Sequence, residues 1–190
     1  IGRAALGLNQ TANNNTAVGY FALLSNTTGT DNAAGGAYAL DANTTGSRNT
    51  AFGKEALTSN TTAHNNTAIG KDSMFYNTTG SENTAVGESS LEANTTADNN
   101  TGIGYFALKA NTTGFDNVAV GSNALDAATT ANYNVAVGRN ALGAATTGTS
   151  NAAVGNGALS GNTTGERNSA FGANTLQLNT TGIRNVAVGQ

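Results

Sequence analysis

Apolar and polar residues follow one another along this chain in a pattern that repeats every 17 residues from end to end. The unit reads N-T-A-V-G-x-x-A-L-x-x-N-T-T-G-x-x, and we call one unit a coil. Residues at the same position of successive coils form a column, and each column is named after its member between Asn15 and Asp31. A fixed short period is typical of a solenoid, in which each unit stacks on its neighbours. We therefore expect residues 1–190 to be a single repeat array without separate domains, and a window cut from a longer array. The columns are represented by Asn15, Gly19, Leu23, Thr28, Asn49, Gly53, Leu57, Asn83, Gly87 and Leu91.

Each coil contains the signals of short strands and tight corners. The T-A-V run before the Gly19 column is typical of a short strand, and a glycine that is never replaced predicts positive φ or close backbone approach at a corner. The A-L pair that follows predicts a second short strand, and Asn-Thr-Thr supplies the turn that brings the chain back. We expect the Val18 and Leu23 columns both to face inward. A helical repeat is improbable because the glycines leave no ten-residue stretch with a 3.6-residue period.

The pattern predicts an all-β fold, a parallel β-solenoid of about eleven coils, and stacking at ~4.8 Å per coil would give a rod of roughly 50 Å. All nineteen charged residues fall in five columns, those of Tyr20, Phe21, Leu24, Thr30 and Asp31. A column that never carries charge is what burial or tight stacking requires, since an ionised group there would be desolvated without a partner. We therefore predict that these five columns form the solvent face.

A single coil offers few bulky apolar side chains, so a thin rod gains by placing its apolar columns against other chains. We expect a homo-oligomer, with three slim parallel rods around a threefold axis as the favoured arrangement. The unpaired strand edges at the two ends of the array would also allow end-to-end stacking into a filament.

The N-T-A-V-G-x-x-A-L unit, as in Asn83 to Leu91, resembles the YadA-type head repeat of trimeric autotransporter adhesins, and similar repeats occur in phage tail fibres. The resemblance covers every coil, although the period is longer than the family's commonest unit and the Asn-Thr-Thr-Gly turn is added. It implies a left-handed parallel β-roll, three chains wound side by side, and exposure on a cell or virion surface.

Catalytic and metal-binding constellations are missing from the sequence. His64 is the sole histidine and lies in a variable column, and cysteine is absent, so the sequence offers no recognisable Ser-His-Asp pattern and no thiolate or multi-histidine metal site within one chain. A net charge of −3 with few basic residues argues against a nucleic-acid surface, and no apolar run is long enough to cross a membrane. We predict a protein that is not an enzyme and needs no cofactor.

Asparagine in the Asn-Thr-Thr turn lies in an N-x-[ST] sequon, which has two interpretations. It would accept a glycan in a host that modifies secreted proteins, or it would stack as a hydrogen-bonded amide ladder between coils. We favour the ladder because Ala128 and Ala145 replace the asparagine without breaking the repeat. The sequons concerned are Asn26, Asn43, Asn60, Asn77, Asn94, Asn111, Asn162 and Asn179.

Two further features suggest binding. The unbroken Thr28 column resembles the threonine arrays of ice-binding solenoids, although adjacent Thr27 and Thr28 should point in opposite directions. Aromatic residues in variable columns are candidate contacts with a ligand or a neighbouring fibre, or they cover chain–chain contacts in the oligomer. These aromatic residues are Tyr20, Phe21, Tyr105, Phe106, Phe75 and Tyr76.

Taken together, the sequence predicts a structural and adhesive fibre segment outside the cell, on a cell surface or a virion, with a host surface or glycan as its possible ligand. The alternatives are a phage tail-fibre shaft that binds host glycans and an ice-binding β-solenoid.

Overall fold

The computed structural model describes all 190 residues and confirms the predicted all-β parallel β-solenoid. Eleven strands of three residues each form one sheet, in which every strand pairs with the next one along the chain. The strands are β1 (Thr16–Val18), β2 (Ala33–Gly35), β3 (Thr50–Phe52), β4 (Thr67–Ile69), β5 (Thr84–Val86), β6 (Thr101–Ile103), β7 (Val118–Val120), β8 (Val135–Val137), β9 (Ala152–Val154), β10 (Ser169–Phe171) and β11 (Val186–Val188).

The sheet register equals the sequence period. Ala17 of β1 lies opposite Ala34 of β2, which lies opposite Ala51 of β3, and the same one-coil step continues to β11. Residues of one column therefore stack directly on one another along the rod. A strand of this kind needs neighbours on both sides for its stability, which the strict repetition supplies.

Side chains alternate between the two faces of each strand, as the pleat requires. The Ala17 column points inward and is buried, whereas Thr16 and Val18 point outward, and Val18 is 48% exposed. The expectation that the Val18 column faces inward was therefore wrong. The physical reason is that the fully buried Leu23 column already fills the interior and leaves room beside the strand for only a methyl group.

The segment after the glycine is not the predicted second strand. It consists of turns in which Phe21 and Leu23 have φ of 56° and 52°, and the same two columns are left-handed in the other coils. The backbone still stacks, because Leu23 N–H donates to Ala39 C=O at 2.9 Å and Tyr38 N–H donates to Tyr20 C=O at 2.9 Å. Left-handed residues curl the chain sharply around the leucine while keeping its hydrogen bonds directed along the rod.

The predicted glycine corner is confirmed. Every glycine of the Gly19 column has φ between 127° and 147°, a region closed to residues with a Cβ. A Cβ added to Gly19 would stand 2.2 Å from the carbonyl oxygen of Gly36 in the next coil. The column is invariant because both the backbone conformation and the distance to the next coil exclude a side chain.

The interior is a continuous apolar file with polar ladders beside it. A cluster of 28 buried residues runs along the rod. It is built from the Leu23, Ala17 and Ala22 columns together with Ala128, Ala131 and Ala145, and Met74 takes the place of one leucine. The repeat thus gives a single chain a hydrophobic core of its own, which is buried from solvent in the internal coils.

Candidate functional site

The sequon asparagines of the Asn26 column form a ladder inside the rod. Asn43 Nδ2 donates to Asn26 Oδ1 of the preceding coil at 2.9 Å and to Gly46 C=O of its own turn at 3.0 Å. Seven of the eight sequon asparagines are fully buried, and Asn179 near the end of the array is half-buried. A glycan on Nδ2 would have no space in the folded coil, and it would replace one of the two N–H groups that make these hydrogen bonds.

A second ladder, made by the Asn15 column, secures the start of each strand. Asn49 accepts the backbone N–H of Asn66 on Oδ1 at 3.0 Å, and its Nδ2 donates to Ala63 C=O at 2.8 Å. Amides suit this position because each supplies an acceptor for the next coil and a donor for the turn. Both asparagine columns are therefore structural.

The two threonine columns have different environments. The Thr27 hydroxyl donates to Thr44 C=O of the next coil at 3.1 Å, and the same bond recurs through Thr163. The Thr28 column is exposed in every complete coil and makes no hydrogen bond through its hydroxyl within the chain. The rod therefore displays a single file of free threonine hydroxyls.

The outer face of the sheet is a second regular surface, which sequence reasoning missed by placing the Val18 column inside. It consists of the Thr16 and Val18 columns, which are exposed or half-buried and carry no charge in any coil. Large side chains on it include Phe52 at 49% and Phe171 at 44% exposure. This charge-free outer face runs the length of the rod, and the alternation T-A-V was the signal that could have revealed it.

Three aromatic rings form a cluster at one side of the first coils. Tyr20 and Phe21 stack with centroids 4.1 Å apart, and Tyr38 from the next coil meets both edge-on, at 5.3 Å from Tyr20. Partial burial, followed by the neighbouring Tyr20 hydroxyl and the carboxylates of Asp41 and Glu55, raises the pKa of the Tyr38 hydroxyl. The Tyr38 hydroxyl therefore remains a neutral hydrogen-bonding group on this patch.

The other aromatic candidates form separate, smaller groups. Tyr105 and Phe106 stack at 3.9 Å, with the Lys109 ammonium 3.8 Å from the Phe106 centroid, a favourable cation–π distance. Phe75 and Tyr76 meet at 4.7 Å, while Tyr76 is 52% exposed. The structure also brings Phe115 and Tyr133 together; both are aromatic residues of variable columns, and their pairing was not predicted because the two lie in different columns.

Charged residues occupy the surface between these aromatic groups. Lys71 lies 2.7 Å from Asp72 and 3.7 Å from Glu88 of the next coil, and these exposed pairs contribute little to stability. Asp41 is half-buried and accepts the Thr58 hydroxyl; burial raises the pKa of its carboxyl, and the hydrogen bond from Thr58 opposes that rise. No cleft and no group of ligating side chains accompanies them, so the surface offers contact area rather than a pocket.

Comparison with protein-family models, with curated proteins and with solved structures finds no match. The resemblance to the YadA-type head repeat therefore stays a prediction. The structure contains no helix with the length and apolar character needed to cross a membrane.

Proposed function

We propose that this chain is a segment of a structural and adhesive fibre outside the cell, in which three copies pack side by side. The observation that carries the proposal is the charge-free outer face, the Thr16 and Val18 columns of the sheet. Burial within one chain explains why the Ala17 and Leu23 columns exclude charge, but it does not explain the exclusion from an exposed face. Burial against other copies supplies that explanation.

The shape of this face favours a protein partner. The side chains on this face range in size from glycine at Gly35 to phenylalanine at Phe52, so the face is uneven and a partner must have a complementary shape. Another copy of the same repeat presents a surface of the same kind. Cyclic symmetry closes the contact between identical rods without leaving an unpaired interface. Three rods give a stiff shaft whose variable columns remain outside.

The adhesive part of the proposal rests on the aromatic clusters. Tyr20, Phe21 and Tyr38 present ring faces and phenol hydroxyls on a surface without a cavity, which suits a shallow contact with an extended ligand such as a glycan chain. Repetition along a trimer would multiply weak contacts into strong attachment.

Molar mass in solution tests the packing of the rods. Sedimentation equilibrium should give three times the chain mass of 18.8 kDa, and Val120→Lys with Val137→Lys on the outer face should reduce it to one chain. Ser122→Lys with Asn156→Lys is the matched control, since its column already carries Lys54 and Lys71. A monomer at all concentrations would refute the trimer.

A glycan array tests the adhesive part separately. Changing Tyr20, Phe21, Tyr105 and Phe106 to Ser should abolish glycan binding and leave the oligomer intact. Dissociation of the oligomer by these changes would instead assign the aromatic residues to contacts between chains.

One feature favours a second candidate, ice binding. The Thr28 hydroxyls form a regular, unbonded file along the rod, and the column contains no other residue type in ten coils. The file is single, however, because the Thr27 hydroxyls bond to the next coil. Absence of thermal hysteresis in a solution of the protein would eliminate this candidate.

A further inference from the structure

The asparagine ladder in the interior is interrupted at two consecutive coils. It runs from Asn9 to Asn111 and resumes at Asn162, because Ala128 and Ala145 stand at the two intervening positions. Both alanines are fully buried. The interruption therefore leaves hydrogen-bonding groups unpaired inside the rod, where an unpaired polar group is costly.

The first unpaired group is the side-chain oxygen of Asn111. In earlier coils each such oxygen accepts the Nδ2 of the next asparagine, as Asn94 Oδ1 does from Asn111 at 3.1 Å. Ala128 has no amide to offer, and Asn111 Oδ1 is a buried atom without a hydrogen-bond partner in the protein. At the other end, Asn162 Nδ2 donates to Gly165 C=O at 3.0 Å, but its second N–H has lost the acceptor that residue 145 would provide.

Two backbone carbonyls are also left with one donor instead of two. Gly114 C=O accepts from Asn100 Nδ2 and from Asn111 Nδ2, both at 2.8 Å. In the next two coils Ala131 C=O accepts only from Asn117 Nδ2, at 2.7 Å, and Gly148 C=O only from Asn134 Nδ2, at 2.9 Å.

We propose that two internal water molecules occupy the places of the two missing amides and complete the ladder. The water beside Ala128 donates to Asn111 Oδ1 and to Ala131 C=O. The water beside Ala145 donates to the first water and to Gly148 C=O, and it accepts the free N–H of Asn162. Each water molecule then makes three hydrogen bonds, the usual number for a buried water.

The direction of every bond agrees with the ladder on both sides. Each asparagine donates toward the preceding coil, and the water file does the same from Asn162 to Asn111. In the coil of Asn94 the turn contains Ala97 instead of glycine, and Asn94 Nδ2 still donates to Ala97 C=O at 3.1 Å. An alanine in the turn therefore does not exclude an amide from the ladder position. The methyl group of Ala131 therefore leaves space for a group at the amide position.

Magnetic relaxation dispersion of water nuclei, which counts long-lived internal water molecules, tests the proposal on the intact chain. The double variant Ala128→Asn/Ala145→Asn replaces both waters by amides and should contain two fewer long-lived waters than the unchanged protein. The single variant Ala128→Asn should contain one fewer, which provides a test if the double variant folds poorly.

The matched control is Ala127→Asn with Ala144→Asn, which adds the same amides at neighbouring half-buried positions of the surface. It should leave the count unchanged. Equal counts in the unchanged protein and in both Ala128 variants would overturn the proposal. So would a high-resolution crystal structure in which Asn111 Oδ1 faces closely packed methyl groups with no water density.

Discussion

The ring of Phe52 lies over Gly35 of the preceding coil. The two residues are partners in the register of β2 and β3, and a Cβ built on Gly35 would stand 2.4 Å from Phe52 Cδ1. Gly35 is the one small residue in the Val18 column, so the missing side chain of one coil is compensated by the large side chain of the next. Side chains on the outer face of the sheet therefore pack against those of the neighbouring coil.

This relationship predicts strong coupling between the two positions. Gly35→Val alone should lower the unfolding free energy by about 1–3 kcal/mol, because the new side chain meets the ring of Phe52. Adding Phe52→Val should restore stability, since Val120 and Val137 form such a valine pair in the same column of β7 and β8. Chemical denaturation of the two single variants and the double variant gives the coupling energy, which we expect to be at least ~1 kcal/mol. Additive changes in the unfolding free energy would show that the packing of the Phe52 ring does not depend on glycine at position 35.

The invariant glycine corner predicts a much larger effect. Gly87→Ala should destabilise the rod by about 3 kcal/mol or more, because it combines a forbidden backbone conformation with overpacking. The φ of Gly87 is 132°, and its Cβ would stand 2.4 Å from Gly104 C=O. Thermal unfolding followed by circular dichroism measures the loss.

Gly80→Ala is the control for this change. It places the same methyl group in a column that holds alanine at Ala63 and Ala97, without positive φ. It should cost clearly less than Gly87→Ala. Equal losses would mean that proximity to the next coil, rather than φ, keeps the Gly19 column invariant.

Left-handed residues without glycine predict sites where the rod can be stabilised. Glu82 is exposed and has φ of 62°, a conformation that asparagine tolerates better than glutamate. The same column holds Asn65 and Asn99. Glu82→Asn should raise the unfolding free energy by about 0.5–1 kcal/mol.

The exposed Glu166, which lies outside the left-handed columns, is the matched position for this test. Glu166→Asn should give no gain, and the difference between the two variants in denaturant midpoint isolates the backbone contribution. A gain of the same size in both would assign the effect to charge removal.

The period correctly predicts the T-A-V strand, the register and the glycine corner, because each depends on which residues recur, whereas the second strand predicted from the A-L pair is a series of turns. Whether a column faces in or out depends on the space beside it, and the apolar Val18 column was placed inside although Thr16, two residues earlier on the same face, indicates the outside. Left-handed Phe21 and Leu23 could not be predicted, since neither residue type favours that conformation and stacking between coils imposes it.

The candidate contacts were predicted unevenly for the same reason. Tyr20 and Phe21 are adjacent in sequence, so their proximity was evident, whereas Tyr38 joins them because it is the next member of the Phe21 column and its coil stacks on theirs. The hydrogen-bonded ladder of the Asn26 column was predicted because alanine replaces the asparagine at two positions without breaking the repeat. The gap at Ala128 became significant only when the structure showed Asn111 Oδ1 without a partner.

The stability of the rod should depend on pH through the half-buried carboxyl of Asp41. Burial raises the pKa of this carboxyl above its unfolded value, so the folded state binds the proton more tightly than the unfolded state. Its contribution to stability is therefore fully present below the unfolded pKa of 3.8 and is lost as pH rises through the folded pKa. Asp41→Asn removes the ionisation, and asparagine still accepts the Thr58 hydroxyl.

The variant should consequently be more stable than the unchanged protein at pH 7, and the difference should shrink as pH falls toward 3. Melting temperatures across this range measure it. Asp31→Asn is the opposite control, because the hydrogen bond from Asn14 lowers the pKa of Asp31, whose contribution is present at neutral pH and lost in acid. Parallel pH curves for the two variants would contradict this assignment.

The structure divides the N-x-[ST] sequons into a buried set and an exposed set, which should differ in glycosylation. The Asn26 column holds its amides inside the rod, whereas the sequons at Asn14, Asn65 and Asn99 have exposed side chains. Folded rods secreted from a eukaryotic host should therefore carry no glycan on Asn43 or its stacked neighbours, because a modified Nδ2 cannot donate to both the preceding coil and its own turn. Peptide mapping by mass spectrometry locates any glycan, and the three exposed sequons serve as internal controls for the modifying activity of the host. A glycan on Asn43 in protein that still shows the full β signal by circular dichroism would demonstrate that the ladder can open without loss of the fold.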